Sequence, residues 1–482
     1  MIKIDFNHSI IMINLINANK LYIRNPWWRD SGFRFDEKGW IHRDLYFELE
    51  KNMEQPLALS ILGLRRVGKS TILKQLINKL FAKGEDSKRV FYYLFDDLEQ
   101  INTSENLDAL LSMYFEQILQ EPLHALSSPI YIFFDEIQYV PDWQTILKRY
   151  YDLSEKKIKF IISGSQSVLL EGKNKETMAG RIFDYYLPPL SFDEFMKIKG
   201  EKISNDKIDL FDLAKNFHIL SKFNFGEANK MEESAREYIL WGQFPECLKM
   251  PQDGSSAASY IRESVVGKIL QDIIIIYKIR KPDDFKIVAY YFINNSGSIF
   301  EVDNIAREVG ISPLTINKYI KYLTKGYLMD ILYKEHRTIV KRGRILKKAY
   351  AASPNFISSI NSYSFSNFDQ IPEAFGKIME GAVFDLIKSR YGNDIIEKAN
   401  VFFWRDGQKE IDFIVSKGKE RIPVEVKFSN NISLKELKPM VEYLTDKKIP
   451  YGVVVTKKDI GERIVDGQKL YFIPCHLFLQ MF

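Results

Sequence analysis

Residues 63–70 read GLRRVGKS: two glycines five positions apart, the second followed by a lysine and a hydroxyl. Backbone N–H groups in a glycine loop of this spacing can converge on phosphate oxygens, a lysine can reach the outer phosphates of a nucleotide, and a serine hydroxyl can ligate Mg²⁺. Two other groups of residues suit phosphate chemistry. Asp135 and Glu136 end the apolar run PIYIFFDE. There one carboxylate can hold Mg²⁺ through water while its neighbour polarises an attacking water. Farther on, FWRDGQKEIDFIVSKGKERIPVEVKFS contains Asp412, Glu425 and Lys427. Two carboxylates that hold Mg²⁺, with a lysine that orients or deprotonates a nearby water, suit hydrolysis of a phosphodiester.

These residues need rigid elements to hold them. LALSIL, before Gly63, has the length of a buried strand, and TILKQLINKLF, after Ser70, repeats Ile72, Leu73, Leu76, Ile77 and Leu80 at helical spacing. Further strand-like runs are RVFYYLF, IYIFF, IKFIISGS and IFDYYLPPL. Five strands alternating with helical segments predict a doubly wound α/β sheet with its ligand at the carboxyl ends of the strands. Gly63, Arg66, Gly68, Lys69, Ser70 and Thr71 are therefore expected around ATP, with Ser70 and Asp135 on Mg²⁺ and Glu136 beside the attacking water. Ser165, or else Gln166, ends the fourth strand as a sensor of the γ-phosphate. In the last region the two strands are joined by the polar hairpin SKGKER, and Glu425 and Lys427, two apart, share one face.

At 482 residues the chain is too long for one core and suggests three or four domains. The net charge of +5 is too small to argue for nucleic acid unaided, so local clusters must carry that case. Cys247 and Cys475 match no metal or disulfide spacing, which points to a reducing cytoplasm. No window has the ~18 uninterrupted apolar residues of a membrane span. The apolar SIIMINLINA near the start is broken by Asn14 and Asn17 and makes a poor signal peptide. A soluble, cytoplasmic protein is expected.

Residues 191–285 have helical periodicity, and their aromatic and isoleucine stripes read as core. FEVDNIAREVGISPLTINKYIKYLTKGYLMDILYK has the form of a helix-turn-helix: Gly310 permits the turn, Ser312 can cap, Pro313 suits the first helical position, and Ile316, Ile320 and Leu323 point inward. Thr315, Lys318, Lys321 and Lys325 fall elsewhere on that second helix, as groove reading needs. The next stretch, KEHRTIVKRGRILKK, looks like a winged-helix wing carrying Arg337, Lys341, Arg342, Arg344, Lys347 and Lys348. Such a wing can neutralise DNA phosphates, and it can equally join domains or copies.

The order GLRRVGKS, FFDE, ISGS, AGR and PPLSFDEF, with NPWWRD upstream and WGQFPE downstream, resembles archaeal and bacterial AAA+-type P-loop ATPases whose C-terminal half is a nuclease-like domain of unknown function. The resemblance implies that Arg181, in MAGRIFDYY, is an arginine finger or γ-phosphate sensor, one that would require a homo-oligomer if it acts in trans. The twelve residues between Asp412 and Glu425-Val-Lys427 resemble the PD-(D/E)XK nuclease superfamily, and Glu380 in GKIMEGAVFDLI matches its additional helix acid. Glu380, Asp412 and Glu425 would then be metal ligands. Two positions depart from the family: AYAASPNF replaces a common Y-x-x-D, and Gln243 stands where a second glycine is common. The expected organisation is an N-terminal segment and P-loop core to 190, a helical lid at 191–285, a winged helix-turn-helix at 286–348 and a restriction-endonuclease-like α/β domain at 349–482. The expected function is an ATP-hydrolysing switch acting on or with DNA. The alternatives are an ATP-gated metal-dependent endonuclease and a nucleotide-switch signalling scaffold.

Overall fold

The structure, a computed structural model, describes residues 18–95, 103–165, 178, 180–204, 206–220, 225–251, 254–335, 346–365, 370–392, 401–429 and 431–482. The chain forms two compact units, 1–188 and 189–482. Gln166, Arg337, Lys341, Arg342, Arg344 and most of the apolar run near the start lie outside the described residues.

In the first unit the apolar runs become β1 (Ala58–Leu62), β2 (Val90–Leu94), β3 (Ile130–Asp135), β4 (Ile158–Gly164) and β5 (Ile182–Tyr186). All pair in parallel, in the order β2-β3-β4-β1-β5. Every residue of β1, β3 and β4 is buried, which explains why these runs are continuously apolar rather than alternating. The helix Lys69–Ala82 buries Ile72, Leu73, Leu76, Ile77 and Leu80, the stripe its spacing predicts. Because the strands are parallel, Gly63, Asp135, Glu136 and Ser165 all leave the same end of the sheet.

NPWWRD closes the β2 edge. Asn25 behaves like a short strand: its Oδ1 accepts from Tyr92 N at 2.7 Å and its Nδ2 donates to Tyr92 O at 3.1 Å. The indole Nε1 groups of Trp27 and Trp28 both donate to Val90 O at 2.9 Å.

The second unit begins with helices. Among them, Lys268–Ile276 buries Ile269, Leu270 and Ile273, but Ile274 and Ile276 are half-buried and Ile275 is 57% exposed, so the isoleucine run expected to be core is core on one face only. Helix Pro282–Asn294 leads to β6 (Ile299–Phe300), helices Val302–Val309 and Pro313–Lys325, then β7 (Met329–Tyr333) and β8 (Lys347–Ala351). These three strands form an antiparallel sheet with β8 in the middle. Between the two helices Gly310 has φ +70°, Ser312 Oγ accepts from Thr315 N at 3.3 Å, and Ile305, Ile316, Ile320 and Leu323 are buried.

The last part is a six-stranded mixed sheet of β9 (Val401–Asp406), β10 (Lys409–Lys417), β11 (Glu420–Lys427), β12 (Gly452–Thr456), β13 (Gly461–Val465) and β14 (Gln468–Pro474), in the order β13-β14-β12-β11-β10-β9. Helices Pro372–Tyr391, Leu434–Lys447 and Cys475–Met481 pack on it. The β7 end is tied to this sheet: Glu335 N donates to Phe403 O at 2.7 Å, while the Glu335 carboxylate takes Arg421 at 2.8 Å and the Tyr443 hydroxyl at 3.0 Å. The boundaries expected at 285 and 348 both fall inside this unit. No described helix is long and apolar enough to cross a membrane.

Candidate functional site

The glycine loop is built on backbone conformations that side chains resist. Gly63 has φ +155°, and a Cβ there would sit 2.3 Å from Leu187 O; Gly68 has φ +105° and opens the Lys69–Ala82 helix. Arg66 also has positive φ, +67°, and its side chain is exposed. Arg43 braces the loop from outside, donating to Val67 O at 2.8 Å and to Pro188 O at 3.0 Å.

Inside the loop, Lys69 is buried and folded back. Its ammonium donates to Gly63 O at 3.1 Å, Leu64 O at 2.9 Å and Ser165 Oγ at 3.1 Å, and lies 3.7 Å from Glu136 Oε1. Ser165 Oγ is also 2.8 and 2.6 Å from the two Glu136 oxygens. Burial pushes the Glu136 carboxyl up, but Lys69, Ser165, Gln138 and Arg65 outweigh it and hold the group below its ordinary value. Asp135 is fully buried, with Ser163 Oγ on Oδ1, Tyr92 OH 3.0 Å from Oδ2 and the Ser70 hydroxyl also bonded to the carboxylate. Burial and the neighbouring Glu136 charge raise its pKa. The structure therefore brings Gly63, Gly68, Lys69, Ser70, Asp135, Glu136 and Ser165 together, with Thr71 next in the helix.

Arg181 lies elsewhere. It precedes β5, and its carbonyl accepts from Ala58 N, at the start of β1, whereas Gly63 follows the end of β1. Five strand residues, about 16 Å, separate the two levels. Its side chain pairs with Asp152, Nε to Oδ1 3.2 Å. A cis role at this chain's own phosphates is thus ruled out by position.

The second predicted group does converge, with additions. Asp412, at an irregularity of β10, and Glu425, on β11, interlock: Asp412 N donates to Glu425 Oε2 at 3.2 Å, and Val426 N donates to Asp412 Oδ2 at 2.9 Å. Lys427 Nζ lies 2.6 Å from Glu425 Oε1, on the shared face. Glu380, from helix Pro372–Tyr391, receives the Tyr350 hydroxyl at 2.6 Å. Burial, then the Asp412 charge, raises the Glu425 carboxyl; burial also raises Glu380, against the pull of Lys348.

The residue that sequence reasoning misplaced is Lys348. Expected on a DNA-facing wing, it is buried, with its ammonium 2.8 Å from Glu410 Oε1, 3.4 Å from Glu380 Oε1 and 3.5 Å from Asp412 Oδ1. Lys347 is half-buried, its ammonium 5.9 Å from the Tyr333 ring centroid. Glu410 was not singled out at all; its only signal is that it stands two residues before Asp412, hence on the same strand face.

The two departures from the family pattern meet each other. Gln243 N donates to Asn355 Oδ1 at 2.8 Å and Ser353 Oγ bonds Gln243 Oε1, both buried, and Gln243 Nε2 lies 3.3 Å from Oδ2 of the half-buried Asp385. AYAASPNF and Gln243 thus form one polar network.

Residues 55–196 match a family model described as an AAA domain, and residues 232–353 and 375–478 match two families described as domains of unknown function. An uncharacterized protein of Methanocaldococcus jannaschii is 27% identical over 447 residues, covering 90% of this chain and 89% of the relative. One of Haemophilus influenzae is 24% identical over 448 residues, covering 90% and 98%. Among solved structures, the ORC1 protein of Aeropyrum pernix in complex with DNA has 12% identity, a match that covers 70% of this chain and 96% of that one, and a TM-score of 0.30. The parallel sheet with its glycine loop is a P-loop NTPase fold, and the AAA match places an AAA+-type P-loop ATPase domain in the first part of the chain.

Proposed function

We propose that the protein is an AAA+-class ATP hydrolase working as an ATP-driven switch on or with DNA. The observation that carries this is the convergence of Lys69, Ser70, Asp135, Glu136 and Ser165 at the carboxyl end of one parallel sheet. ATP with Mg²⁺ fits the residues present: a hydroxyl and a buried carboxylate offer oxygen donors, and the Lys69 ammonium rests on backbone carbonyls that phosphate oxygens can replace. When bound, Mg²⁺ supplies charge neutralisation along the phosphates.

Lys69 would exchange Gly63 O and Leu64 O for the β and γ phosphates. Ser70 and Asp135 would hold the ion. Glu136, kept ionised and aimed by Ser165, would orient the attacking water and draw its proton. Ser165, touching both Lys69 and Glu136, is placed to report whether the outer phosphate is present.

The helix–strand–helix–helix–hairpin order of 282–351 supports a winged-helix reading, and exposed Lys318 and Lys321 on its second helix are the described side chains best placed for DNA phosphates. The sheet and acids of 401–482 support a nuclease-derived fold. The test is ATP turnover by the full chain with Mg²⁺, alone and with linear, supercoiled or branched DNA, beside Lys69→Ala. Turnover that Lys69→Ala abolishes and DNA alters is expected; turnover indifferent to every DNA, with no DNA bound, would overturn the DNA part.

A further inference from the structure

A metal-dependent phosphodiesterase site needs room for a divalent ion among its carboxylates, with oxygens near 2.1 Å for Mg²⁺. In the C-terminal cluster that room is filled by an ammonium. The three oxygens around Lys348 Nζ belong to Glu410, Glu380 and Asp412 at 2.8, 3.4 and 3.5 Å, so three acids from two elements match the three N–H donors of a lysine. The side chain is only 2% exposed. Its Cα is anchored in the central strand β8, paired with Ile299 on one side and Leu332 on the other, and the ammonium is held by the three acids. The Phe403 ring, centroid 5.6 Å from Nζ, adds a further wall.

Two of these acids have second partners, Arg405 on Glu410 at 3.0 Å and Tyr350 on Glu380 at 2.6 Å, and the remaining acid, Glu425, takes Lys427 at 2.6 Å. Among the described residues, no group of three or more His, Cys, Asp or Glu is arranged to hold a metal ion. The nuclease-like donor set and the ion it resembles a site for therefore do not fit each other here.

We infer that Lys348 is a resident cation occupying the divalent-ion position of the Glu380–Asp412 cluster, so that this module, as folded, excludes Mg²⁺ and Mn²⁺ and uses its acids to lock the β7–β8 hairpin onto the C-terminal sheet. This stands apart from the ATPase reading, since it concerns other residues and needs no nucleotide. It also separates the endonuclease alternative from the switch, because a lysine in the ion's place cannot polarise a phosphodiester or lower the pKa of a bound water as a metal does.

Nucleotide-free full-length protein titrated with MnCl₂, with bound ion counted by electron paramagnetic resonance, tests it. Wild type and Asp412→Asn are expected to bind the same number of ions. Lys348→Ala is expected to gain one further Mn²⁺, lost again when Asp412→Asn is added, and to melt lower than wild type, with millimolar Mn²⁺ restoring about 5 °C. Asp412-dependent Mn²⁺ in the wild type would overturn the inference, and so would a folded Lys348→Ala that gains no ion. Should Lys348→Ala fail to fold, adding Glu410→Gln relieves one uncompensated charge and permits the same measurement.

Discussion

Replacing Glu136 by Gln isolates one charge while conserving shape. The glutamine Oε1 can still accept from Ser165 Oγ, now at 2.8 Å, so the loop should stay built. What disappears is the partner of the Lys69 ammonium at 3.7 Å. Two unit charges at that distance interact by about 4 kcal/mol at an effective dielectric constant near 20. Desolvation of both groups cancels most of this, leaving about 1–2 kcal/mol of stability at risk in the nucleotide-free protein. Bound phosphates would replace that lost charge, so nucleotide affinity should hold or improve. The chemical step should instead lose ~10²–10⁴ in rate, since the group that draws the water's proton is gone. Binding followed with a fluorescent ATP analogue and hydrolysis followed in single-turnover mode separate the two effects. Hydrolysis within about threefold of wild type would refute the assignment of Glu136 to the water.

Other expectations follow from single contacts. Gly63→Ala sets a Cβ against Leu187 O at 2.3 Å, a backbone atom held by Leu187 N to Leu62 O at 2.7 Å, so a loss of about 2–4 kcal/mol or of soluble protein is expected in chemical denaturation. Burial lowers His476 from 6.5 to about 4. Its unfolded form then binds protons that the folded form refuses, and stability present above pH 6.5 is lost as pH falls toward 4: about 2 kcal/mol by pH 5. Urea midpoints at pH 7 and pH 5 should show this slope, and His476→Leu should flatten it. Lys318→Ala with Lys321→Ala should weaken DNA binding and reduce the slope of log affinity against log salt by about two in fluorescence anisotropy; an unchanged slope would leave those lysines as solvated surface.

The geometry of the candidate nucleotide site was legible because its parts are local: a glycine loop between a strand and a helix, and an acid pair at the end of a buried run. Even Ser165 could be placed, since parallel strands end on one side. The same rule sets Arg181 at the far end of the sheet from this chain's own phosphates, because a residue preceding a parallel strand emerges there; a role in trans rests on the motif resemblance alone. Lys348 was less accessible. Nothing local distinguishes it from Lys347, and its surroundings are made by residues 32 to 64 positions later, brought to it only when the hairpin docks on another sheet. NPWWRD was noticed as a resemblance, but its role depends on β2 being an edge, which only the strand order reveals.

The way NPWWRD dresses β2 bears on self-association. An uncovered edge strand offers alternate N–H and C=O groups to any other chain, the usual start of runaway pairing. Here the outward groups of Val90 and Tyr92 are already spent on two indoles and an amide. Copies of this sheet cannot extend across that side without first stripping those side chains away. The opposite edge, β5, presents Phe183 and Tyr186, 46% and 39% exposed. Extension of the sheet by a further strand is therefore blocked at β2, whatever happens at β5.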